Sequence, residues 1–561
     1  MTSFLDHFNQ GIAAVTAVLW HPSVLYVLLA AGVLFTVWSG FGQWRSLTHG
    51  AKAVRGDFDD ADDPGAISHF QALSAALSAT VGLGNIGGVA LGVALGGPGA
   101  VFWMWVVGFL GMALKTTEVT LSMVYRNTDD PENPHGGPMW VVSRGLRARW
   151  PRLAGVGKAA GAFFCGTLLV SALTGGNLFQ AWNVGNITQQ YFGVPALWAG
   201  ALLAVMVAAV ILGGIHRIGA VAGRLVPFMC GAYLLAALYV VVLHLDQVPA
   251  VFALIFESAF RGAEAQGAFV GGTVGLAFST GLQRAFFSNE AGQGSSPIAH
   301  AAARTDEPAR EGLVAGLEPL IDTLVVCTLT ALVIFLSGAW NRAPDFEFVE
   351  APRVVAAGAG VWTLEGGSLP ERADRGWRSG DTLQAHLLVE GRPRVMTATV
   401  RLPDPPRLRL AAADAGGTAT PQLEWSTIKA SGPGELVPGG YLGYTAATFT
   451  AHAFDRVRPG LGKWLVTLAT WLFALSTIIS WSYYGEQGVV FLAGEEWVTP
   501  YRLFYCLCIV VACSGLVRST AELNSLTLLG TGCMLWANIP ITLLFGSQAM
   551  KTLRDYRQRH G

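Results

Sequence analysis

The sequence predicts an all-α polytopic membrane protein of about eleven spans that carries one β-rich insert. Three observations lead there. Of 561 residues, 52% are hydrophobic and 13% charged, with a mean hydropathy of +0.45, a balance too apolar for a soluble domain. Apolar runs of the ~20 residues needed to cross hydrocarbon recur along nearly the whole chain. The exception is residues 341–440, where Pro, Gly and Arg accumulate and apolar residues alternate with polar ones.

The net charge of −1 offers no electrostatic footprint for nucleic acid, so partners are sought in the lipid bilayer. The seven cysteines all lie in apolar runs, without zinc-type spacing or a disulfide framework, and read as core-filling thiols. No H-E-x-x-H or comparable catalytic arrangement occurs, so an intramembrane enzyme is not expected.

Taken in order, the expected spans are 24–40, 70–95, 101–123, 159–179, 195–211, 225–243, 268–287, 313–338, 464–483, 503–516 and 523–545. They divide the chain into a first transmembrane region, residues 1–340, the insert, residues 341–440, and a second transmembrane region, residues 441–561. Loops after odd spans carry Arg45, Lys52 and Arg55, then Arg126, Arg144 and Arg147, then Arg217 and Arg224; the tail adds Lys551, Arg554, Arg557 and Arg559. Lys and Arg favour the cytoplasmic side, which places the N-terminus outside, the C-terminus in the cytoplasm and the insert outside. Within the insert, the stretches beginning at Leu383 and Val395 alternate as β-strands do. No polar constellation there points to chemistry, so its partner is not readable. Residues 441–454 read as an amphipathic surface helix.

The second span is interrupted at Val81-Gly82-Leu83-Gly84-Asn85. Each glycine lowers helix propensity by ~1 kcal/mol relative to Ala, and the run is uncharged, so the helix is expected to unwind at bilayer depth. Free amides and carbonyls there cost several kcal/mol each unless a polar ligand meets them. The stretch from Ser78 to Asn85 is therefore expected to form a binding site. The same glycines, with Gly87, spell G-x-G-x-x-G, but no strand precedes them and the next acid is Glu118, so a dinucleotide site is not expected. Gly84, Gly88, Gly92 and Gly96 recur every fourth residue, a close-packing pattern that accounts for Gly88 and Gly92.

A second interruption is expected in 268–287, around Phe278-Ser279-Thr280, about five spans after the first. An odd offset inverts the second half, so the two breaks converge at the midplane as in inverted-repeat transporters. Other polar residues in the spans are candidates as well. Lys115 and Glu118, three apart, are expected to pair. Glu318 and Asp322, four apart on one face, are candidates for coupling or structural charges. Gln180 is a candidate pocket residue, and Trp481, one turn beyond Thr477, is a candidate cap that limits side-chain size.

The residues FQALSAALSATVGLGNIGGVALGVALGGPG from Phe70, HGGPMW from His135, FSNEAGQGSSPIAHAAA from Phe287, EPLIDTLVVCTLTALV from Glu318 and FALSTIISWSYYGEQ from Phe473 resemble the alanine or glycine:cation symporter family of bacteria and archaea. The resemblance implies a leucine-transporter-like 5+5 inverted repeat with an extra N-terminal span, set in the bacterial inner (cell) membrane. It implies sodium-coupled symport of a small neutral amino acid, with Na⁺ as coupling ion and no other cofactor. It further implies that Thr80, Gly82 and Gly84 meet the substrate carboxylate, that Phe278, Ser279 and Thr280 face it, and that Ser78, Val81, Ser476 and Thr477 hold Na⁺. The insert departs from the family pattern. Coupling to H⁺ through Asp322 or Glu318, and a non-transporting sensor that signals through the insert, are the alternative readings.

Overall fold

The computed structural model describes residues 11–560 apart from 13, 61, 373–375, 379, 403–420, 445 and 516–519, and only the backbone of 520–524. Among the described residues, six helical stretches are long and apolar enough to cross a membrane: Gly99–Tyr125, Pro151–Phe192, Gly214–Leu243, Pro308–Leu336, Leu461–Ala493 and Ser525–His560. Two bent pairs raise the number to eight: Pro22–Trp38 with Gly42–Val54, bent by 67°, and His69–Thr80 with Gly84–Gly96, bent by 48°. Three further expected spans appear as shorter helices, Ala196–Ile211, Val274–Asn289 and Val498–Ala512.

The polarity of this bundle is inverted relative to a soluble protein. Leu202, Val205, Phe228, Leu235 and Val242 are exposed on its outside, while Lys115, Glu118, Glu318 and Asp322 are buried within. Water would not tolerate that outer face, whereas lipid does, and charges inside a membrane bundle face its interior. The chain is a multi-pass membrane protein.

Local chemistry sets the helix limits. Ser68 opens His69–Thr80 with a capping box: its hydroxyl accepts from the Gln71 amide at 3.3 Å, and the Gln71 side-chain oxygen accepts from the Ser68 amide at 3.1 Å. Gly193, in the left-handed conformation, closes Phe179–Phe192. Small residues let Gly99–Tyr125 act as a central post. A Cβ on Gly281 would lie 2.8 Å from Trp103 Cβ, and one on Gly312 would lie 2.8 Å from the Thr116 carbonyl oxygen. The four-residue glycine repeat behaves differently from expectation. Gly96 is the tight member, 3.0 Å from Ala100 Cβ, while an added Cβ on Gly88 meets only Phe287 at 4.0 Å and one on Gly92 reaches Arg284 at 3.4 Å.

The β-rich insert is present. Strands β1 (Arg353–Gly358), β2 (Val361–Glu365) and β6 (Thr427–Lys429) form one antiparallel sheet. A second runs β5 (Gln422–Trp425), β4 (Arg392–Arg401), β3 (Thr382–Val389) and β7 (Glu435–Leu436), with β8 (Tyr441–Leu442) also on β3. The two expected strands are β3 and β4, joined at Glu390-Gly391, both left-handed, as a two-residue hairpin turn requires. Their alternation buries Leu383, Ala385 and Leu387 beside Met396, Ala398 and Val400. Arg342 ties the start of the insert to its end: its guanidinium donates to Asp345 at 3.0 Å and to the Leu442 carbonyl oxygen at 2.9 Å. The amphipathic helix that follows is Ala447–Val457.

Candidate functional site

The first break is where the sequence places it. His69–Thr80 ends at Val81, whose ψ of 89° leaves the helix, and the chain resumes in a wide π-type turn over Gly84–Gly88. Asn85 closes the gap from inside. Its side-chain oxygen accepts from the Gly82 amide at 2.9 Å, and its Nδ2 donates to Asp322 Oδ1 at 2.6 Å. Gly82 has no room for a side chain, since a Cβ would lie 2.6 Å from Thr477 Oγ1.

The second break lies elsewhere than expected. Residues 277–280 sit within an uninterrupted helix, Val274–Asn289, which starts where the Thr273 hydroxyl accepts from the Leu276 amide at 3.2 Å. Glycine content alone does not unwind it, because Gly275 faces open space and Gly281 is a contact with Gly99–Tyr125. The helix stops at Glu290, a left-handed residue with φ of +56°, and Gly292 and Gly294 carry the chain to the short helix Ser296–His300. Asn289 stabilises the turn, accepting from the Ala291 amide at 3.0 Å and donating to Thr323 Oγ1 at 3.1 Å.

The two breaks meet at a small internal cavity. Its lining includes Thr80, Gly82 and Gly84 from the first, Phe287, Glu290 and Gln293 from the second, and Gln180, Thr477 and Trp481 from helices between. Six residues singled out from the sequence are thus brought to one place. Gln180 Oε1 and Thr477 Oγ1, both buried, have no hydrogen-bond partner among the described residues. Trp481 Nε1 donates to Glu290 Oε1 at 3.1 Å, and Ser295 Oγ donates to Oε2 at 2.5 Å. Beside the cavity, the Ser78 hydroxyl donates to the Ser476 carbonyl oxygen at 2.7 Å and the Ser476 hydroxyl to the Ser78 carbonyl oxygen at 3.3 Å.

Four candidates are placed away from the cavity. Asn85 lies behind the first break, fully buried. Phe278 stacks on Tyr26 at 5.2 Å and meets Trp103 edge-on at 4.9 Å. Ser279 donates to the Leu276 carbonyl oxygen at 3.3 Å, and Thr280 packs against Gly96.

The buried charges pair across helices rather than along them. Lys115 Nζ donates to Glu318 Oε2 at 3.1 Å instead of to Glu118, because the bundle brings a carboxylate from another helix to it. Glu118 instead accepts from Asn538 Nδ2 at 2.6 Å and the Gly292 amide at 3.3 Å, holding the second break to the last helix. Glu318 also accepts from Ser296 at 2.5 Å and His300 Nε2 at 2.9 Å, and His300 Nδ1 reaches Glu311 Oε1 at 2.5 Å. Glu311 bonds His69 as well. With both ring nitrogens on carboxylates, His300 is an imidazolium. Asp322 accepts from Asn85, from Ser288 at 2.9 Å and from Thr323 at 2.7 Å, so one carboxylate holds both breaks.

Sequence reasoning did not single out Glu290 or Gln293. Their signal was present: an acid and an amide between glycines in Asn289-Glu290-Ala291-Gly292-Gln293-Gly294, inside an apolar region.

The chain is 34% identical over 500 residues to the sodium/alanine symporter AgcS of Methanococcus maripaludis, covering 89% of this chain and 87% of that one. It is 35% identical over 344 residues to the amino-acid carrier protein AlsT of Bacillus subtilis, covering 61% and 70%. Among solved structures it is similar to MhsT in complex with L-phenylalanine, with a TM-score of 0.45 and 13% identity over 86% of this chain and 89% of that one. The sodium:alanine symporter family model matches residues 5–358 and 437–561, skipping most of the insert. The chain belongs to the sodium:alanine symporter family.

Proposed function

We propose that the chain imports alanine, glycine or a similar small neutral amino acid together with Na⁺ by alternating access. Sodium-coupled amino-acid symport is the activity of its family. The observation that carries the reading for this chain is the meeting of both helix breaks at one cavity, with two unpartnered side-chain oxygens, Gln180 Oε1 and Thr477 Oγ1, on its wall. Unwound helix ends at bilayer depth are where such carriers bind a zwitterion and its coupling ion.

In this reading Thr80 and Gly84 face the substrate carboxylate, since the Gly82 amide is engaged by Asn85. Gln180 and Trp481 bound the space left for the side chain. Na⁺ is a hard cation suited to carbonyl and hydroxyl oxygens. The Ser78 hydroxyl donates to the Ser476 carbonyl oxygen, and the Ser476 hydroxyl is shared between the carbonyl oxygens of Phe473 at 3.0 Å and Ser78 at 3.3 Å, leaving hydroxyl lone pairs free, and with the Val81 carbonyl and Thr477 Oγ1 they make an oxygen-only set. Phe278, Ser279 and Thr280 have no part in it. The scaffold is a 5+5 inverted repeat preceded by one span, eleven in all, with the breaks at Val81–Asn85 and Glu290–Ser295 in corresponding places. The N-terminus and the insert lie outside the inner membrane and the C-terminus lies in the cytoplasm.

Uptake of labelled alanine into proteoliposomes under an inward Na⁺ gradient, with K⁺ as control, tests the reading. Accumulation that requires Na⁺, and that loses this requirement or stops in Ser476→Ala/Thr477→Ala, is expected. Uptake driven by a pH gradient without Na⁺ would transfer the coupling role to a proton, and binding without uptake would make the chain a sensor.

A further inference from the structure

The β-rich insert lies mostly outside the family match, which stops at 358 and resumes at 437, and the chain leaves it directly into the helix Ala447–Val457. That helix bears on the binding cavity. Two of the elements lining the cavity continue one turn past it, from Gly84 to Gly87 and from Gln180 to Asn183, and both meet the same object. At Gly87 an added Cβ would lie 3.0 Å from both Ala446 Cβ and the Ala447 amide nitrogen. Asn183, with Trp182 and Asn186, borders a second small cavity whose far wall is Ala446, Ala447 and Thr448. The layer over the binding cavity is thus the tip of this helix. Thr450, fully buried one turn further in, donates to the Ile86 carbonyl oxygen at 2.9 Å, so the helix also satisfies an acceptor in the wide turn of the first break.

The tip is held from the insert's side. Ala446 has φ of +48° and ψ of −123°, a conformation that a residue with a side chain keeps only where its surroundings impose it. Arg342 grips the segment that leads to it, donating to the Leu442 carbonyl oxygen at 2.9 Å and to Asp345 at 3.0 Å, and Asp345 accepts from the Leu442 amide at 2.8 Å. The guanidinium also lies over the Tyr444 ring at 5.2 Å, and that ring stacks at 4.0 Å on His452 of the helix itself. Strand β3 adds the hold of the insert's body. It pairs with β8, and Thr382 exchanges two bonds with Gly443: its carbonyl oxygen accepts from the Gly443 amide at 2.8 Å, and its hydroxyl donates to the Gly443 carbonyl oxygen at 3.0 Å. The far end of the helix is anchored separately, by Arg456 donating to the Ser337 carbonyl oxygen at 2.8 Å, which leaves the tip as the end whose position the insert decides.

We propose that the insert is a built-in regulator of outward opening: through Arg342 and strand β3 it holds the tip at 446–448 over the binding cavity and keeps the outer route shut. The proposal rests on the carrier reading and on its placement of the insert outside the membrane. Freeing this clasp lets Ala446 relax, and the tip then leaves Gly87 and Asn183 together.

Asn183→Cys supplies a reporter on the covered wall. The full-length, detergent-purified protein is treated with a charged methanethiosulfonate and the modified sites are located by peptide mass spectrometry. Native Cys165, 0% exposed in the helix Ala154–Leu173, monitors general loosening in the same molecule. Adding Arg342→Gln is expected to speed labelling at position 183 by at least about tenfold while Cys165 stays protected. Thr382→Val, which removes a single tie, is expected to speed it by about threefold, and it decides the matter should Arg342→Gln not fold. Arg401→Gln, which breaks an exposed pair with Glu424 in the same sheet, is expected to change nothing. Labelling at position 183 that the deciding variant leaves unchanged overturns the proposal, as does equal acceleration by Arg401→Gln or parallel labelling of Cys165. An unaltered protein that takes up no alanine under a Na⁺ gradient would instead overturn the transport reading and leave the clasp in place.

Discussion

Lys115→Met puts the buried charge network to a quantitative test. Lys115 and Glu318 are 3.1 Å apart with both side chains fully buried. Removing one partner of such a pair costs about 3–5 kcal/mol, because the other charge stays behind in a low dielectric. Glu318 keeps Ser296 and the His300 imidazolium on Oε1, while Oε2 loses its lysine, which sets the expectation at the low end, about 3 kcal/mol. The readout is thermal unfolding of the detergent-purified protein followed by tryptophan fluorescence, where this amounts to a drop of at least a few degrees. Lys551→Met, at an exposed position in the last helix, serves as control. Lys115→Met/Glu318→Gln should be less destabilised than Lys115→Met alone, because the stranded charge is gone while the oxygen facing Ser296 and His300 remains. A single variant indistinguishable from the control, or a double variant whose loss is the sum of its parts, would refute the reasoning.

Other expectations follow from the same geometry. Asn85→Ala removes the acceptor of the Gly82 amide and a donor to Asp322, leaving buried groups unsatisfied at about 1–3 kcal/mol each; uptake should be lost although every cavity-lining side chain is intact, and normal uptake would contradict the assigned role. Gly82→Ala should abolish Na⁺-driven uptake, since its Cβ would sit 2.6 Å from Thr477 Oγ1. Ser279→Ala should leave alanine affinity within about twofold of the unaltered protein, because Ser279 bonds only its own helix and loss of a neutral hydrogen bond of this kind is small. In the insert, burial first and the Arg342 guanidinium second push His386 down to about 4. The unfolded insert takes up a proton below about pH 6.5 and the folded one does not until about pH 4, so stability falls as pH drops through that window, by about 3 kcal/mol at most. Proteolysis of the insert should therefore accelerate between pH 6.5 and 4.5, and His386→Phe should blunt the change.

Legibility of the sequence depended on how local each determinant is. The first break was readable because two glycines in an uncharged apolar run weaken a helix whatever surrounds it; Gln180 and Trp481 stood out as polar or amphipathic residues on otherwise apolar faces, while Thr477 came only from the family resemblance. The β3–β4 hairpin was readable from a period of two. The second break was not, because glycines at 271–281 are the stronger compositional signal while the chain turns at a left-handed glutamate stabilised by Asn289 and Thr323. The partner of Lys115 was hidden for a similar reason. Spacing along one helix favours Glu118, but pairing is decided by which helix packs alongside. Gly88 and Gly96 occupy equivalent places in one repeat and differ only in what faces them.

Asp322 has a mechanical consequence. It grips Asn85 of one interrupted helix and Ser288 of the other through a single carboxylate, so neither break can shift without dragging the other. A displacement of either helix end would therefore be passed to the other through Asp322. The facing helix Leu461–Ala493 touches the two breaks through the mutual Ser78 and Ser476 bonds and through Trp481 Nε1, which donates to Glu290 Oε1 at 3.1 Å. A cation bound between Ser78 and Ser476, as proposed, would add an ionic tie across that seam and couple its occupancy to how firmly the two parts are held together.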